Sequence, residues 1–331
     1  MSRQTWNPSI SVVIPLRNEA RYIEACLAGV YDQSYPRELT DVIVVDNFSD
    51  DGSYELASAL VAPYPNDRVV RFQGLSIAAA RNHGFELARG QIIAFLDGDS
   101  VPDPDWLESV VELFADRPDT GCIGFAMKRP DARATWIERD WYDVTDGGRK
   151  KGTEAVRWVP SFNLAVRRER FEEVGGFDEA LETGEDFDLG YRLSRHSEVI
   201  RSDRVFVDHL GTTGDIVSFF RKERWRGVGT VDLLAARATR AKAAARLTIP
   251  LLYLAALASL PVLAALTGLE RAPGWFLAPS LAIAVGVPIV LALRSGVRRL
   301  PTVARVSFLY AVYLAARAFA LFEALSNMFR K

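Results

Sequence analysis

The sequence predicts an α/β domain followed by a helical region that associates with a membrane. Apolar runs alternate with amphipathic runs over the first hundred residues, and two long stretches near the C-terminus carry no charge. The formal net charge of the 331 residues is −2, but it is unevenly spread. Residues 247–331 contain eight Lys/Arg and two Asp/Glu, whereas the remainder contains 32 and 40. An acidic globular part therefore precedes a basic, apolar part, and no nucleic-acid partner is expected.

The alternating runs predict a parallel sheet with helices on both faces. Buried strands are predicted at 9–15, 40–47, 68–72 and 91–97, and helices at 18–33, 52–62 and 75–89. In such folds a ligand binds at the carboxyl ends of the strands. Asp46 and Asp97 each stand at the end of a predicted strand, so both are candidate site residues.

The C-terminal third predicts two or three membrane helices. Residues 247–269 and 272–293 are uncharged, and each is long enough to cross a bilayer core of about 30 Å. A third apolar stretch, 306–329, contains Arg317 and Glu323, so it either spans or lies in the interface. The predicted organisation is a globular domain (1–214), a basic amphipathic interfacial segment (215–246) and a membrane domain (247–331) with helices at about 247–269, 272–293 and 303–327.

Basic residues predict the orientation of these helices. Four precede the first span and four lie between the second and third stretches: Arg237, Arg240, Lys242 and Arg246, then Arg294, Arg298, Arg299 and Arg305. The positive-inside rule therefore places the N-terminal domain in the cytoplasm of a multi-pass cell-membrane protein. The N-terminus shows no signal peptide. Cys26 and Cys122 make no metal-binding spacing, and we expect two buried thiols in a reducing compartment.

The stretch "FLDGDS" places two acids at the end of the fourth predicted strand. Asp97 and Asp99 flank Gly98, which allows a close backbone turn. Carboxylates without soft ligands suit Mg²⁺ or Mn²⁺, and the second acid can hold a ribose or the same ion. Taken alone, the stretch is better explained as an Asp-Gly turn with solvated acids.

The stretch "FLDGDS" is one of five motifs that follow one another along the chain. They are "SVVIPLRNEARYI", "VIVVDNFSDDGS", "AAARNHG", "FLDGDS" and "NLAVRRERFEEVGGFDEALETGEDFDLGYRL". Their order and spacing over residues 9–225 resemble the family 2 glycosyltransferases. The resemblance implies the GT-A fold, a Rossmann-like mixed sheet that binds nucleotide-diphospho-sugars, followed here by C-terminal transmembrane helices.

The resemblance also implies roles for the residues that match the motifs. Nucleotide-sugar-binding roles fall on Pro15, Asn18, Glu19, Asp46, Arg81, Asp97 and Gly98. Among these, Asp46 would bind the base, Arg81 would lie near the diphosphate, and Asp97 would lie on the ribose side. The metal ligands would be Asp99, His209 and Asp97. Asn47 departs from the family pattern, where a second Asp is common, and this weakens any inference about the base.

The resemblance assigns the catalytic base to the "ED" pair. Asp186 would take the proton of an acceptor hydroxyl, with Glu185 assisting. The alternative is that these acids only stabilise the N-terminus of a helix. The acceptor would contact Trp158, Phe162 and Asn163. Arg221, Arg224 and Trp225 resemble the Q/R-x-x-R-W motif of membrane-embedded synthases. A basic interfacial helix also explains them, and the two interpretations are compatible.

Arg317 lies within the third apolar stretch, and inserting an arginine at the centre of a membrane helix costs roughly 2.5–3.5 kcal/mol on insertion scales. We expect it to contact the phosphate of a polyprenyl-linked acceptor, with snorkelling as the alternative.

The sequence therefore predicts an inverting glycosyltransferase that requires Mg²⁺ or Mn²⁺. Its partners would be a nucleotide-sugar donor (a UDP-sugar by default, with GDP-mannose open), a lipid-linked or saccharide acceptor and membrane lipids, and a homo-oligomer is left open. A polyprenyl-phosphate glycosyltransferase, which resembles dolichol-phosphate mannose synthase, is the nearest alternative. A processive synthase would need more spans. An inactive nucleotide-sugar-binding scaffold is the alternative from another class.

Overall fold

The computed structural model describes residues 6–74, 76–147, 151–237, 240–269 and 273–328, without the side chains of 229–247 and 324–328. The chain divides into two compact units. The first, here the sheet unit, comprises Met1–Lys128 and Lys150–Thr212; the second, here the helical unit, comprises Arg129–Arg149 and Thr213–Lys331. The predicted boundary after residue 214 lies near this division. The sequence did not predict that 129–149 would belong with the C-terminal helices.

Within the described residues, the sheet unit contains one nine-stranded mixed sheet. Its strands are β1 (Ile10–Leu16), β2 (Thr40–Asp46), β3 (Arg68–Arg71), β4 (Ile92–Leu96), β5 (Ser100–Pro102), β6 (Thr120–Met127), β7 (Glu154–Val156), β8 (Asn163–Arg167) and β9 (Glu198–His209). Its helices are α1 (Ile23–Tyr31), α2 (Ser53–Val61), α3 (Ile77–Leu87), α4 (Trp106–Asp116), α6 (Arg168–Glu173) and α7 (Glu185–Leu193), with a 3₁₀ turn at Arg37–Leu39.

The strand order is β3-β2-β1-β4-β8-β6-β9-β5, and β7 pairs with β9. The four predicted strands form β1 to β4 and are parallel, as expected. The later strands make the sheet mixed, because β8 runs antiparallel to both β4 and β6. Strands β2 and β3 lie on one side of β1, whereas β4 lies on the other side, so the strand order reverses at β1. The carboxyl ends of β1, β2 and β4 therefore frame a crevice of the kind that binds ligands.

The central strands are apolar on both faces because helices cover both faces. Along β1, Val12 and Ile14 belong to one buried cluster, whereas Val13 belongs to the other. This alternation follows from the two-residue period of a strand. Both cysteines are free and buried, which confirms that part of the prediction, and burial raises the pKa of both thiols.

Helix α1 begins later than the sequence predicted. Its first residue is Ile23 rather than a residue near Asn18, whose φ of 56° is left-handed. The backbone N–H groups of Asn18 and Glu19 donate to the side chains of Ser49 and Ser53, at 2.9 and 2.8 Å. These contacts hold 18–20 as a loop, and the helical period of the sequence does not encode them.

The helical unit contains α5 (Trp136–Thr145), α8 (Ile216–Arg237), α9 (Arg240–Gly268), α10 (Leu277–Leu281), α11 (Val287–Arg294) and α12 (Leu300–Met328). A 3₁₀ turn at Gly274–Phe276 precedes α10, and a π-helical turn at Ala282–Gly286 joins α10 to α11. Three segments are long and apolar enough to cross a membrane: Thr248–Gly268, Gly274–Arg294 and Leu300–Glu323. The side chains of Arg237, Arg240, Lys242 and Arg246 lie outside the described residues.

Helix α5 packs on α12 although the sequence places it between two strands of the sheet. Ile137, Phe219 and Leu309 form a small core, and Arg305 donates to both carboxylate oxygens of Asp140 at 2.6 and 3.2 Å. A Thr135–Glu138 capping box starts α5. The insertion 129–149 is therefore fixed to the C-terminal helices by an apolar core and an ion pair.

We predict that Gly84→Ala destabilises the sheet unit. A Cβ at Gly84 would collide with Val13 Cγ1 and lie 3.1 Å from Val45 Cγ2, so α3 would have to move away from β1 and β2. Overpacking of this kind costs roughly 1–3 kcal/mol. Thermal melting in detergent measures the loss, with Glu86→Ala on the exposed side of α3 as the control. Equal melting temperatures for the two variants would contradict this account of the packing.

Candidate functional site

Asp46 ends β2 and is fully buried at the crevice. Its oxygens accept from the Ser49 N–H at 3.3 and 3.4 Å, and Arg71 Nε lies 3.9 Å away. The neighbouring Asn47 side chain accepts from the Gly74 N–H at 3.1 Å, so it closes a loop. Pro15 is buried inside β1 opposite Val45.

Two loops form one side of the crevice and are bonded to each other. Asn18 Oδ1 accepts from the Asp50 N–H at 3.0 Å, while the Asn18 N–H donates to Ser49. Glu19 binds Ser53 through its backbone. The structure thus brings Asn18, Glu19 and the loop after Asp46 together, as the resemblance implies for a nucleoside-binding edge.

Arg81 is buried and bonded to two carboxylates of the site. It is 1% exposed, donates through Nη2 to Asp97 Oδ1 at 2.6 Å, and donates through Nη1 to Glu185 Oε1 at 2.7 Å. Its guanidinium carbon also lies 5.5 Å from the centre of the Phe177 ring. Burial alone would lower the pKa of Arg81, but the attraction of Asp97 and Glu185 outweighs it and raises the pKa. Arg81 therefore stays charged and joins the end of β4 to the start of α7.

Asp99 and His209 face each other across paired strands. Ser100 in β5 lies opposite His209 in β9, and Asp99 O accepts from the Leu210 N–H at 2.8 Å. This pairing sets Asp99 Oδ2 at 3.6 Å from His209 Nδ1. A Cβ at position 211 would collide with the Asp99 carboxylate, so only a glycine at this position leaves space for that carboxylate. Gly98 is likewise confined, because a Cβ there would lie 3.1 Å from Leu16 Cδ1.

The predicted metal ligands are only partly brought together. No group of three His, Cys, Asp or Glu side chains in the described part of the chain is arranged to hold a metal. Asp97 is bound to Arg81, which leaves Asp99 and His209 as the adjacent pair. A carboxylate and an imidazole fit Mn²⁺ or Mg²⁺, since such ions in phosphate-binding sites take one or two protein ligands and complete their shell with phosphate oxygens and water.

The two acids at the start of α7, Glu185 and Asp186, lie in different environments. Gly184, with a φ of 83°, precedes the helix and turns Glu185 inward. Glu185 is 7% exposed and binds Arg81, and Ser161 donates to it at 3.3 Å. Asp186 is less buried, and its Oδ1 accepts from the Phe187 N–H at 2.7 Å. Asp186 is thus the more accessible carboxylate, whereas Glu185 is held by an ion pair.

The predicted acceptor side chains of the sheet unit differ in exposure. Trp158 is half-buried, and its ring centre lies 5.8 Å from that of Phe187. A Cβ at Gly190 would lie 2.5 Å from Trp158 Cβ, so α7 touches this residue closely. Phe162 is half-buried, with its ring centre 5.2 Å from the His209 ring. Trp158 and Phe162 therefore flank α7 and the Asp99–His209 pair.

Asn163 does not fit the acceptor role predicted for it. It is fully buried, its Oδ1 accepts from the Phe125 N–H at 2.8 Å, and its Nδ2 donates to Phe125 O at 3.2 Å. The amide therefore closes the ladder between β8 and β6, and it has no exposed surface to offer a sugar. No local pattern indicates this role, because a buried Asn and a ligand-binding Asn look alike in "SFNLAV".

The remaining predicted acceptor residues lie in the helical unit. Arg221, Arg224 and Trp225 are exposed on α8, and Arg224 Nε lies 3.7 Å from Glu323. Arg317 donates to Glu223 at 2.8 Å. Sequence reasoning missed Glu223, whose only signal was an acid inside the basic motif "RKERWRG".

We predict that Arg81→Met destabilises the sheet unit by roughly 3–5 kcal/mol, because Glu185 would remain buried without a counter-charge. Arg81→Met/Glu185→Gln should recover part of this loss, since it removes the uncompensated charge. Thermal melting in detergent measures both, with exposed Arg89→Met as the control. Melting of Arg81→Met at the wild-type temperature would show that the ion pairs do not hold the fold.

Sequence relatives match a little more than half of the chain. AglE, a glycosyltransferase of Haloferax volcanii, is 34% identical over 203 residues, which is 58% of this chain and 66% of AglE. Validoxylamine A glucosyltransferase of Streptomyces hygroscopicus is 27% identical over 223 residues, covering 57% of this chain and 52% of the relative. The chain thus spans less than two thirds of the length of these curated relatives.

Solved structures share the fold. The mannosyltransferase PcManGT of Pyrobaculum calidifontis, in complex with GDP-Man and Mn²⁺, aligns with 98% of this chain and 88% of its own at a TM-score of 0.69 and 22% identity. TarS 1-349 of S. aureus in complex with UDP-GlcNAc aligns with 98% and 92% at a TM-score of 0.51 and 15% identity.

The sequence profile described as glycosyl transferase family 2 matches residues 11–175, about half of the chain, which includes Asp46, Arg81, Asp97 and Asp99 but ends before Glu185, Asp186 and His209. The predicted GT-A-like mixed sheet is confirmed by these similarities. The chain belongs to glycosyltransferase family 2.

Proposed function

We propose that the protein is an inverting, metal-dependent glycosyltransferase that moves a sugar from a nucleotide-sugar to a lipid-linked or saccharide acceptor at the cytoplasmic face of the cell membrane. The observation that carries the proposal is the arrangement around Arg81. This buried cation joins Asp97, beside the Asp99–His209 pair, to Glu185, beside Asp186. Donor-binding acids and the candidate base are thereby held in one crevice.

The donor nucleotide is proposed to lie along the carboxyl ends of β1, β2 and β4. The loops that carry Asn18 and Glu19 contact the base and the ribose. Asp46, predicted to bond the base, is fully buried and instead supports the second loop through the Ser49 N–H. PcManGT is described with GDP-Man, and TarS with UDP-GlcNAc, so structures of this fold take donors with either base. A UDP-sugar is the first donor to test and GDP-mannose the second. The diphosphate is proposed to lie beside Asp97, which is partly exposed and is held by the buried Arg81.

Asp99 and His209 are proposed to hold Mn²⁺ or Mg²⁺, which would neutralise charge on the departing diphosphate. Manganese accompanies the donor in the PcManGT complex. The chain would supply an oxygen ligand from Asp99, directly before β5, and a nitrogen ligand from His209, at the end of β9. Because β5 pairs with β9, the register of these strands sets the separation of the two ligands. Arg81 contributes through position, because both of its terminal nitrogens are already bonded to carboxylates.

Asp186 is proposed to accept the proton of the attacking hydroxyl. A sugar hydroxyl is a weak nucleophile until that proton is removed in the transition state. Asp186 sits in the first turn of α7, and the neighbouring Glu185 is engaged by Arg81. The acceptor attacks the sugar carbon from the side opposite the diphosphate, which inverts the configuration. Trp158 and Phe162 offer aromatic faces to the acceptor.

The helical unit is proposed to keep the site beside a membrane-borne acceptor. Its three apolar segments each have the length of a span. Exposed Arg221, Arg224 and Trp225 on α8 would meet headgroups or the acceptor. The excess of basic residues near the spans supports the proposal of a cytoplasmic catalytic domain.

We predict that Asp186→Asn abolishes transfer to a hydroxyl acceptor, by about 10²-fold or more, while nucleotide binding is retained, because the amide cannot accept the proton. The measurement is nucleotide release with acceptor present, with exposed Glu182→Gln as the control. Retained transfer to a polyprenyl phosphate would instead indicate the alternative acceptor, since an ionised phosphate needs no base. Full activity on a hydroxyl acceptor would exclude Asp186 as the base.

We predict that Asp99→Asn or His209→Ala weakens Mn²⁺ binding at least about tenfold in the presence of nucleoside diphosphate, because one of only two protein ligands is removed. Electron paramagnetic resonance of free Mn²⁺ measures this directly. Asp105→Asn, an exposed acid near the same loop, serves as the control. Unchanged Mn²⁺ affinity in both variants would place the metal elsewhere.

A further inference from the structure

The loop that leads from α6 into α7, here the α6–α7 loop, comprises residues 177–184. All of these residues are described, and none of them belongs to a helix or a strand. Left-handed glycines stand at both ends of the loop. Gly175 and Gly176 precede it with φ of 77° and 71°, and Gly184 is its last residue, with φ of 83°. Because no helix or strand ladder fixes this loop, its position depends on side chains that reach it from elsewhere.

Asn82 of α3 binds the first residue of the loop through both of its backbone groups. Asn82 Oδ1 accepts from the Phe177 N–H at 3.0 Å, and Asn82 Nδ2 donates to Phe177 O at 2.9 Å. Nδ2 also donates to Glu179 Oε1 at 2.8 Å. An amide group has two N–H donors, so both are used on this loop. Asn82 therefore fixes both the position and the orientation of Phe177.

The start of α3 makes a further contact with the same loop. Ser76 is the N-cap of α3, and its Oγ accepts from the Ala79 N–H at 3.2 Å and donates to Glu179 O at 3.3 Å. A Cβ at Gly176 would lie only 2.9 Å from Asn82 Oδ1, so the glycine leaves room for the amide. The first part of the loop is thus held against α3 at several points.

The Phe177 ring connects this contact to the buried arginine of the site. Phe177 is 2% exposed, and the guanidinium carbon of Arg81 lies 5.5 Å from the centre of its ring. A guanidinium group is attracted to the face of an aromatic ring. Arg81 in turn binds Asp97 and Glu185. By fixing Phe177, the Asn82 amide therefore also supports the aromatic surface beside Arg81.

Two consecutive residues of α3 hold the two ends of the loop. Asn82 binds its first residue, Phe177, and Arg81 binds Glu185, the residue directly after its end. Asp186 follows Glu185 in the first turn of α7. The position of the Asp186 carboxylate in the crevice consequently depends on both residues of α3.

We propose that Asn82 is a positioning residue for sugar transfer, which holds the α6–α7 loop so that Asp186 stands in reacting geometry. The proposal rests on the proposed function in taking Asp186 as the base. Asn82 belongs to the motif "AAARNHG", in which only Arg81 received a predicted role. A displacement of about 1 Å, caused by a change far from the reacting atoms, can lower a rate about 10²-fold. An anchor at the other end of the loop is therefore sufficient to affect catalysis.

The test compares turnover and nucleotide affinity in the full chain in detergent. The donors are UDP-GlcNAc and GDP-mannose with Mn²⁺, and the donor that the wild type turns over is used for every variant. Asn82→Ala should lower kcat for nucleoside diphosphate release at least about tenfold, because the loop loses three hydrogen bonds. The calorimetric affinity for UDP or GDP should stay within about twofold of the wild type, because Arg81 still holds Asp97.

Gln33 provides a matched control, because its amide also makes three hydrogen bonds to a neighbouring backbone. Its Nε2 donates to Gly29 O and Asp103 O, each at 2.9 Å, and its Oε1 accepts from the Leu107 N–H at 3.0 Å. None of these partners belongs to α3, the α6–α7 loop or α7. Gln33→Ala should therefore lower the melting temperature as Asn82→Ala does, but it should keep kcat within about twofold of the wild type.

A reciprocal exchange keeps the proposal testable if Asn82→Ala does not fold. Asn82→Asp retains the acceptor for the Phe177 N–H but places a second carboxylate beside Glu179. Asn82→Asp/Glu179→Gln removes this repulsion and supplies an amide donor from the other side. The double variant should recover kcat at least about threefold over Asn82→Asp, because the two positions are in contact.

Hydrogen exchange of the 177–184 amides, measured by mass spectrometry on the full chain, reports the anchor without any turnover. Asn82→Ala should speed this exchange at least about tenfold, because the Phe177 N–H loses its acceptor and the loop opens more often. Gln33→Ala should exchange these amides at the wild-type rate.

Two kinetic results would overturn the proposal. One is an equal kcat for folded Asn82→Ala and Gln33→Ala, and the other is a loss of nucleotide affinity in Asn82→Ala that accounts for the whole fall in rate. No gain of kcat in the double variant over Asn82→Asp would remove the Glu179 contact from the anchor. Absence of wild-type turnover with either donor would contradict the proposed function, whereas unchanged hydrogen exchange in Asn82→Ala would contradict the anchor alone.

Discussion

The site depends on one buried cation that serves two carboxylates. Arg81 comes from α3, yet it holds Asp97 at the end of β4 and Glu185 at the start of α7. Removing a charge from water is costly, so a buried arginine is stable only while both partners stay in place. The donor side of the sheet and the helix that carries Asp186 are consequently fixed to each other. Such preorganisation is what a transferase needs, since most of its catalysis comes from fixed charges around a departing diphosphate.

The two units rely on different physical means to position charge. In the sheet unit, strand register sets the Asp99–His209 distance, and a glycine at position 211 leaves room for the carboxylate. In the helical unit, a buried acid, Glu223, accepts hydrogen bonds from Arg226 and Arg317, which line a cavity of about 620 Å³. Insertion of 129–149 among the C-terminal helices makes the chain between β6 and β7 part of that cavity's wall.

The sequence predicted the features that follow from local pattern. Short apolar runs that alternate with amphipathic runs identified β1 to β4. Long stretches with little or no charge identified the apolar spans, and the order of the motifs identified the family. It did not reveal features that depend on distant contacts. The start of α1 is delayed by serines about thirty residues away, and Asn163 binds backbone rather than an acceptor. Arg81 was expected beside a diphosphate, but its buried ion pairs become visible only when α3 and α7 are packed on the sheet. The membership of 129–149 in the helical unit has no local signal.

Nucleotide-sugar turnover by the detergent-purified full chain tests the central claim most directly. UDP- and GDP-sugars would be compared with Mn²⁺, Mg²⁺ or EDTA, with and without undecaprenyl phosphate. The account predicts release of one nucleoside diphosphate, from one donor, that stops when the metal is chelated. No release from any donor under any of these conditions, together with no calorimetric binding of UDP or GDP, would contradict it and leave a protein that shares the fold without the activity.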